Sequence, residues 1–457
     1  MDGEKERKKE RTRRVPGAVV AAVIRFAIVC LLAAGCATGE RHDGEASDAA
    51  RNAGSAETES AASAQGADAG LHSPGSAAKA EDRTGVSESV SPEGERSRHH
   101  DKRGGGPQPQ AGQLTAGEWS DLDDWEGWTD QLNGRDADRY RKSWLFFGFD
   151  RIAVQVMDGE RPVADAEVTA ISGKQPLWTA RTDINGMAYL FPVLFDEDDQ
   201  RAEAPNGYGI EVRAGQAVKR VGETGFSRNE PLVVDISDAP RPSDTVDILF
   251  AIDTTGSMSD ELQYLEEELK DVIARVARDN GRQLDIRLSP NFYRDVHDDY
   301  VVRSFPFTRD VDRAVRQIAK QEASGGGDYP EAVEEALREA IEEHEWSEEA
   351  RARLLFLVLD APPREEAARE IHRLTRRAAE EGIRIIPVAS SGVDAATEYL
   401  LRFLAVSTGG TYLFLTDDSG IGNDHLEPAV GEYEVKLLND LLVEVINRYC
   451  GFGKATL

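Results

Sequence analysis

The chain has 457 residues, too many for one compact hydrophobic core, so two or three folded units are expected. Aspartate and glutamate number 84 against 54 lysines and arginines, a formal charge of −30 at pH 7. This balance excludes a nucleic-acid binder that works through basic surface, and it favours a soluble, self-repelling exterior.

Residues 1–36 read as an export signal. Lys5, Arg7, Lys8, Lys9, Arg11, Arg13 and Arg14 form a basic start, and an apolar stretch over 26–34 runs into Gly35-Cys36. Arg25 splits the longer apolar run, and what remains is too short to span a bilayer. Leu31-Leu32-Ala33-Ala34-Gly35-Cys36 resembles a bacterial lipobox, with Ala33 where leucine is commonest. The resemblance implies that Cys36 becomes a lipidated N-terminus, anchored by acyl chains at roughly 0.8 kcal/mol per buried CH₂. The alternative is an ordinary cleaved signal with an incidental cysteine. Ala37 follows Cys36, where an aspartate would imply inner-membrane retention, so the outer membrane or surface of a bacterial envelope is expected. Cys30 and Cys36 fall in this segment, which leaves Cys450 alone and no intramolecular disulfide in the mature chain. Cys450 is expected to be buried and inert on the last helix.

Residues 37–114 are rich in Ala, Gly, Ser and Glu and contain no aromatic side chain. Such a segment cannot bury enough apolar surface to offset chain entropy and reads as a disordered tether. Its basic cluster, 96–103, is either a solvated charge run or a contact for anionic lipid or peptidoglycan. In 115–144, Trp119, Trp125, Trp128 and Trp144 crowd an acidic stretch. Aromatics at this density dock on a neighbouring domain or present a partner-binding segment.

From 145 to 240 the pattern alternates with period two, as at Ile152, Val154 and Val156, and at Val168 and Ala170. Asp158-Gly159, Asn185-Gly186, Asn206-Gly207 and Ala214-Gly215 supply turns, and Asn-Gly is a strong hairpin cue. A small antiparallel β-sandwich is expected. The stretch 154–168, with Thr182-Asp183-Ile184-Asn185-Gly186, resembles carboxypeptidase-regulatory-like (transthyretin-like) β-domains. That resemblance implies a spacer or binding module without catalysis.

From 244 to 450 strands and helices alternate. Strands are expected at 246–252, 284–292, 354–359, 383–388 and 411–415, and helices at 260–278, 309–321, 330–343, 364–381, 395–406 and 435–448. The strands are near-continuous apolar runs, as in a parallel sheet covered on both faces. The fold class is therefore α/β, a doubly wound parallel sheet with helices on both sides, joined to the small β-sandwich and the tether.

Three loops meet at the carboxyl ends of these strands, where such folds build ligand sites. The first is Asp253-Thr254-Thr255-Gly256-Ser257, the second 324–331 with Gly325-Gly326-Gly327-Asp328, and the third ends at Asp360. Carboxylates and hydroxyls on a glycine-containing turn suit a hard cation such as Mg²⁺. Together the loops resemble the metal-ion-dependent adhesion site of von Willebrand factor A domains. The resemblance covers about 200 residues. It implies direct binding of Mg²⁺ (or Mn²⁺/Ca²⁺) by the Thr255 and Ser257 hydroxyls, with Asp253 and Asp360 acting largely through bound water. Asp328 stands where many members have threonine. A third carboxylate raises cation affinity but leaves the ion less able to attract a partner's acid. Asp295, Asp417 and Asp418 follow strands toward the same face, as groups orienting the ligands or as solubilising loop residues. His297 and His425 are given no role.

Catalysis is not expected. A haloacid-dehalogenase-type phosphatase needs a second aspartate where Thr255 stands. There is no Gly-x-x-x-x-Gly-Lys-Ser/Thr loop, no Gly-x-Ser-x-Gly elbow and no His-Glu-x-x-His, since His344-Glu345 runs into Trp346-Ser347-Glu348. The expected function is metal-dependent protein binding or adhesion by an envelope lipoprotein with an unknown protein partner. The alternatives are a metal that only stabilises the loops and, behind that, a metal-dependent hydrolase.

Overall fold

The computed structural model describes residues 108–135, 137–147, 150–195, 207–226, 230–280 and 283–452. The export signal, Cys36 and the tether as far as residue 107 lie outside the described residues. None of the described helices is long and apolar enough to cross a membrane.

The described chain opens with β1 (Thr115–Trp119), α1 (Trp125–Leu132) and α2 (Ala137–Trp144). Short strands follow: β2 (Ile152–Asp158), β3 (Arg161–Pro162), β4 (Glu167–Ser172), β5 (Gln175–Arg181), β6 (Met187–Leu190), β7 (Tyr208–Ala214), β8 (Ala217–Thr224) and β9 (Leu232–Asp235). These make two four-stranded sheets, one of β3, β2, β6 and β9 and one ordered β5-β4-β7-β8. Period-two residues Val154, Val156, Val168, Ala170, Ile210 and Val212 are buried in one shared core. The strand pairing is antiparallel except for β2 with β9, which is parallel. The Asn185-Gly186 turn is not the hairpin expected of it. It carries the chain from β5 in one sheet to β6 in the other, and the Asp183 carboxylate fixes it by accepting the Asn185 and Met187 N–H groups, each at 2.8 Å.

The second part of the chain alternates: β10 (Thr245–Asp253), α3 (Leu262–Asn280), β11 (Asp285–Tyr293), β12 (Val302–Arg303), α4 (Val311–Ile318), α5 (Val333–Arg338), β13 (Ala352–Leu359), α6 (Ala368–Glu381), β14 (Ile383–Ala389), α7 (Ala395–Thr408), β15 (Tyr412–Leu415), β16 (Lys436–Leu437) and α8 (Leu438–Tyr449). Among the described residues these strands and β1 form one eight-stranded sheet, ordered β12-β11-β10-β13-β14-β15-β1-β16. Its centre is parallel, and both faces are covered. Ile248, Phe250 and Ile252 join one apolar core with Leu265, Leu269 and Val272 of α3, while Leu249 and Ala251 join the other with Leu374 of α6 and Leu400 of α7. Successive side chains of β10 thus enter opposite cores, which is why the strand is apolar without alternation. Cys450 is buried and its thiol is pushed up to about 12 by burial.

Four expectations need correction. The sheet is not purely parallel, because β1, β12 and β16 pair antiparallel at its two margins. Short returning strands need no helical crossover, so they can join an edge antiparallel. The α/β domain does not begin at 244, since β1 lies between β15 and β16 and the small β-module is inserted within the domain's own sequence. Residues 112–114, assigned to the tether, are held instead by the buried Glu268 carboxylate, which accepts their three N–H groups at 2.7, 2.8 and 3.0 Å. The helix expected from Pro330 begins at Val333, and its last turn over 339–343 is a π-helix.

The tryptophan segment lies on α7. Trp128 meets Tyr399 and Phe403 with ring centroids 5.4 Å apart, and Phe146 stacks on Phe403 at 4.0 Å. Arg402, buried beneath, is gripped by both oxygens of Asp121 at 2.9 and 2.5 Å. The β-module sits elsewhere, at the amino ends of the parallel strands and along α6. Arg353 pairs with Asp165, Arg384 donates to the Arg181 carbonyl at 2.8 Å, and Arg376 donates to Leu177 at 2.7 Å. Gly382 ends α6 at φ +72°, and a Cβ there would come within 2.9 Å of the Arg181 side chain, so this contact needs glycine twice over. The carboxyl ends of the strands are left open.

Candidate functional site

β10 ends in Asp253, which is fully buried. Its Oδ1 accepts the Thr255 N–H at 2.8 Å and the Thr255 hydroxyl at 2.7 Å, and the Thr255 hydroxyl lies 3.1 Å from that of Ser257. One carboxylate oxygen thus organises the turn and leaves Oδ2 buried without a hydrogen-bond partner. Asp360 directly follows β13, is 3% exposed and has Oδ1 in the same condition. Burial first, and then the charge of Asp360, pushes the Asp253 carboxyl above its ordinary range. Asp360 is raised first by burial and then by Glu261 and Asp260, against a lowering contact with the Ser257 hydroxyl. The Tyr293 hydroxyl neighbours Asp253 and favours its charged form, without reaching Oδ2 in good hydrogen-bond geometry.

The glycine loop folds onto this turn. Ser324 N–H donates to the Thr254 carbonyl at 3.0 Å, and Gly256 N–H donates to the Gly325 carbonyl at 3.1 Å. Gly326, at φ +72°, lies so close that a Cβ would stand 2.9 Å from Glu331 Oε1 and 3.4 Å from Thr255 Cβ. Asp298 holds the loop from outside by accepting the Gly326 N–H at 2.8 Å.

Ser257, Asp328 and Asp360 line one open pocket of about 770 Å³, with Asp253 and Thr255 buried in the turn that carries Ser257. Asp295 is buried and 3.6 Å from Arg364, and its charge acts on Glu331. Asp417 is exposed and bound to His425. Asp418 is exposed and does not line the pocket. His297 is exposed.

Four residues escaped the sequence reading. Glu331, 3% exposed, is pushed up to about 9 by burial and then by Asp253, Asp295, Asp360 and Asp298, and its Oε2 has no partner. Its signal was its place in Asp328-Tyr329-Pro330-Glu331, read only as a helix start. Tyr293 gave no signal. Its phenol is raised by burial and by Asp253, Asp360 and Glu331. Glu261, fully buried, accepts the Ser391 N–H at 3.3 Å. His425, given no role, lies with Nε2 2.9 Å from Glu261 and Nδ1 2.8 Å from Asp417. Burial opposes its charge, yet the two carboxylates raise it overall. Only the fold brings 261, 417 and 425 together.

Residues 247–417 match the family model of the von Willebrand factor A domain. The chain carries a von Willebrand factor A domain. A curated protein of Acanthamoeba polyphaga mimivirus, described as an ariadne-like RING finger protein, is 30% identical over 135 residues, which is 28% of this chain and 13% of that protein. The chain therefore spans a small part of this relative's length. A solved structure, the conserved hypothetical protein BatB from Bacteroides thetaiotaomicron, aligns over 45% of this chain and 99% of its own at 14% identity, with a TM-score of 0.32.

Among the described residues no three His, Cys, Asp or Glu side chains form a ready-made metal cage. An ion at the rim of the vWA domain would therefore have to draw on hydroxyls and water as well as carboxylates. The donor set fits a small hard cation, which binds through one or two carboxylates and keeps several waters. Two buried carboxylates with orphaned oxygens, each raising the other's cost of ionising, form the local charge that such an ion would neutralise.

Proposed function

We propose that the vWA domain binds a protein partner through a divalent cation, Mg²⁺ or else Mn²⁺ or Ca²⁺, at the carboxyl-end rim. Thr255, Ser257 and Asp328 would hold the ion directly, and Asp253 and Asp360 would supply charge and orient its water. The bound ion supplies a positive centre that a partner's oxygen donor can complete. Glu331 joins this set as a fourth buried or rim carboxylate. The role is binding, without catalysis. The same reading has the chain exported and held at a bacterial envelope through lipidated Cys36, at the outer membrane or surface, with the 145–240 module as spacer.

One observation carries the metal reading: Asp253 Oδ2 and Asp360 Oδ1 are both buried and unpartnered beside the Thr255 and Ser257 hydroxyls. Partner recovery with and without chelator, on wild type and Asp253→Ala, tests it. Equal recovery in all four cases ends the proposal.

A second reading follows from the hydrogen bonds that already knit the first loop to the glycine loop. Here the ion only locks the loops, and partners bind elsewhere. A metal-dependent rise in melting temperature with unchanged partner binding would favour it.

A further inference from the structure

We infer that the partner presents a basic side chain, lysine or arginine, to the rim pocket that Tyr329 and Asp424 line. This rests on the proposal that the rim is the binding face, and it goes on to specify the partner's chemistry.

Four carboxylates line the pocket, Asp328, Glu331, Asp360 and Asp424, and no lysine or arginine is among its lining residues. Two of them carry a buried oxygen that no group in the protein satisfies. Asp360 and Glu331 are each 3% exposed, and each keeps one carboxylate oxygen without a partner. The other two, Asp328 and Asp424, are exposed, with no hydrogen bond or ion pair among the described residues. One divalent ion offsets two negative charges, and Asp328, Asp360 and Asp424, with Asp253 behind them, outnumber it without Glu331, which burial and its neighbours hold toward the neutral form. The loaded rim therefore stays negative. An incoming carboxylate meets like charge at short range, where the Coulomb cost is several-fold larger than in bulk water. An ammonium or guanidinium group meets the reverse.

The lip adds an independent feature. Tyr329 is 44% exposed, yet its hydroxyl is fixed, donating to the Gly392 carbonyl at 3.1 Å and accepting the Asp394 N–H at 3.2 Å. The hydroxyl is thus tied down at two points while the residue stays exposed beside an acidic pocket. An ordered aromatic face next to carboxylates is suited to a cation, which the ring quadrupole attracts. A partner's neutral oxygen could complete the ion while its neighbouring basic side chain fills the lip.

The test uses the purified full chain and three labelled nonapeptides of Gly and Ser carrying three lysines, three glutamates or three glutamines. Binding is read by fluorescence anisotropy with and without Mg²⁺, and Mg²⁺ binding itself is read by calorimetry. The lysine peptide should bind at least about tenfold tighter than the glutamate peptide. Tyr329→Ala and Asp424→Asn should each weaken it by about threefold or more, with Mg²⁺ affinity within about twofold of wild type. Preference for glutamate, no discrimination, or no binding by any peptide overturns the inference. So does a lysine preference that survives both substitutions, because the −30 charge of the whole chain would then explain it. Calorimetry separates the two proposals. Lysine-peptide binding that depends on Tyr329 and Asp424 but occurs without Mg²⁺ uptake upholds this inference while the metal reading fails.

Discussion

Arg353 at the amino end of β13 and Asp165 of the inserted β-module form a two-pronged ion pair, at 2.8 and 3.1 Å, across the face opposite the candidate site. Arg353 is 3% exposed and donates two further hydrogens, to the Ser347 and Glu348 carbonyls. Asp165→Ala leaves a buried guanidinium short of its counter-charge and should cost about 2–4 kcal/mol in urea unfolding. Asp165 has φ +57°, a conformation asparagine tolerates, so Asp165→Asn should cost less. Equal stability of Asp165→Ala and wild type would remove this pair from the domain clamp.

Glu268 is the anchor of the upstream strand. It is fully buried and satisfies three consecutive backbone N–H groups, at Gly112, Gln113 and Leu114. Thr115, the next residue, is bonded to Thr416 at the end of β15. Glu268→Ala strands three donors and should cost about 2–4 kcal/mol. Hydrogen exchange should show lost protection in β1 while β10 and β13 stay protected.

His372 makes the fold acid-sensitive. Its Nε2 donates to the Trp144 carbonyl at 2.7 Å, and its ring stacks on Phe195 at 4.0 Å. Burial lowers it to about 4, although the carbonyl favours charge. The unfolded chain then takes up a proton near pH 6.5 while the folded chain does not. Stability is therefore complete above about 6.5 and falls as pH drops toward 4, by on the order of 1–3 kcal/mol. Urea midpoints at pH 7 and pH 5 should differ in wild type, and this part of the difference should vanish in His372→Phe.

Asp360→Asn separates fold from site. In chelator at pH 8 it removes one of two mutually repelling buried charges and should raise the melting temperature. The same variant should lose the stabilisation that Mg²⁺ gives wild type. A variant that melts lower in chelator yet responds fully to Mg²⁺ contradicts both halves of the argument.

The strand ends at Asp253 and Asp360 were legible in the sequence because they are local. An apolar run must stop at a polar residue where the strand leaves the core, and the turn chemistry of Thr255, Gly256 and Ser257 lies within five residues of it. The doubly wound core was legible for the same reason, since each strand and helix announces itself by its own periodicity. Glu261 and His425 were not legible. They are 164 residues apart, and their burial depends on how the chain after β15 folds back over α3.

The sequence by itself thus determined the α/β class, the alternation of the main strands and helices after residue 244 and the hydroxyl and carboxylate chemistry of the first loop, because these follow from short-range patterns of polarity. Only the tertiary structure decided that β1 belongs to the large sheet, that the β-module packs at the amino ends of the strands and that Glu331 sits among the site's carboxylates. Those outcomes depend on backbone pairing and charge burial between distant segments, and the free energy of such contacts is not written in any local stretch of residues.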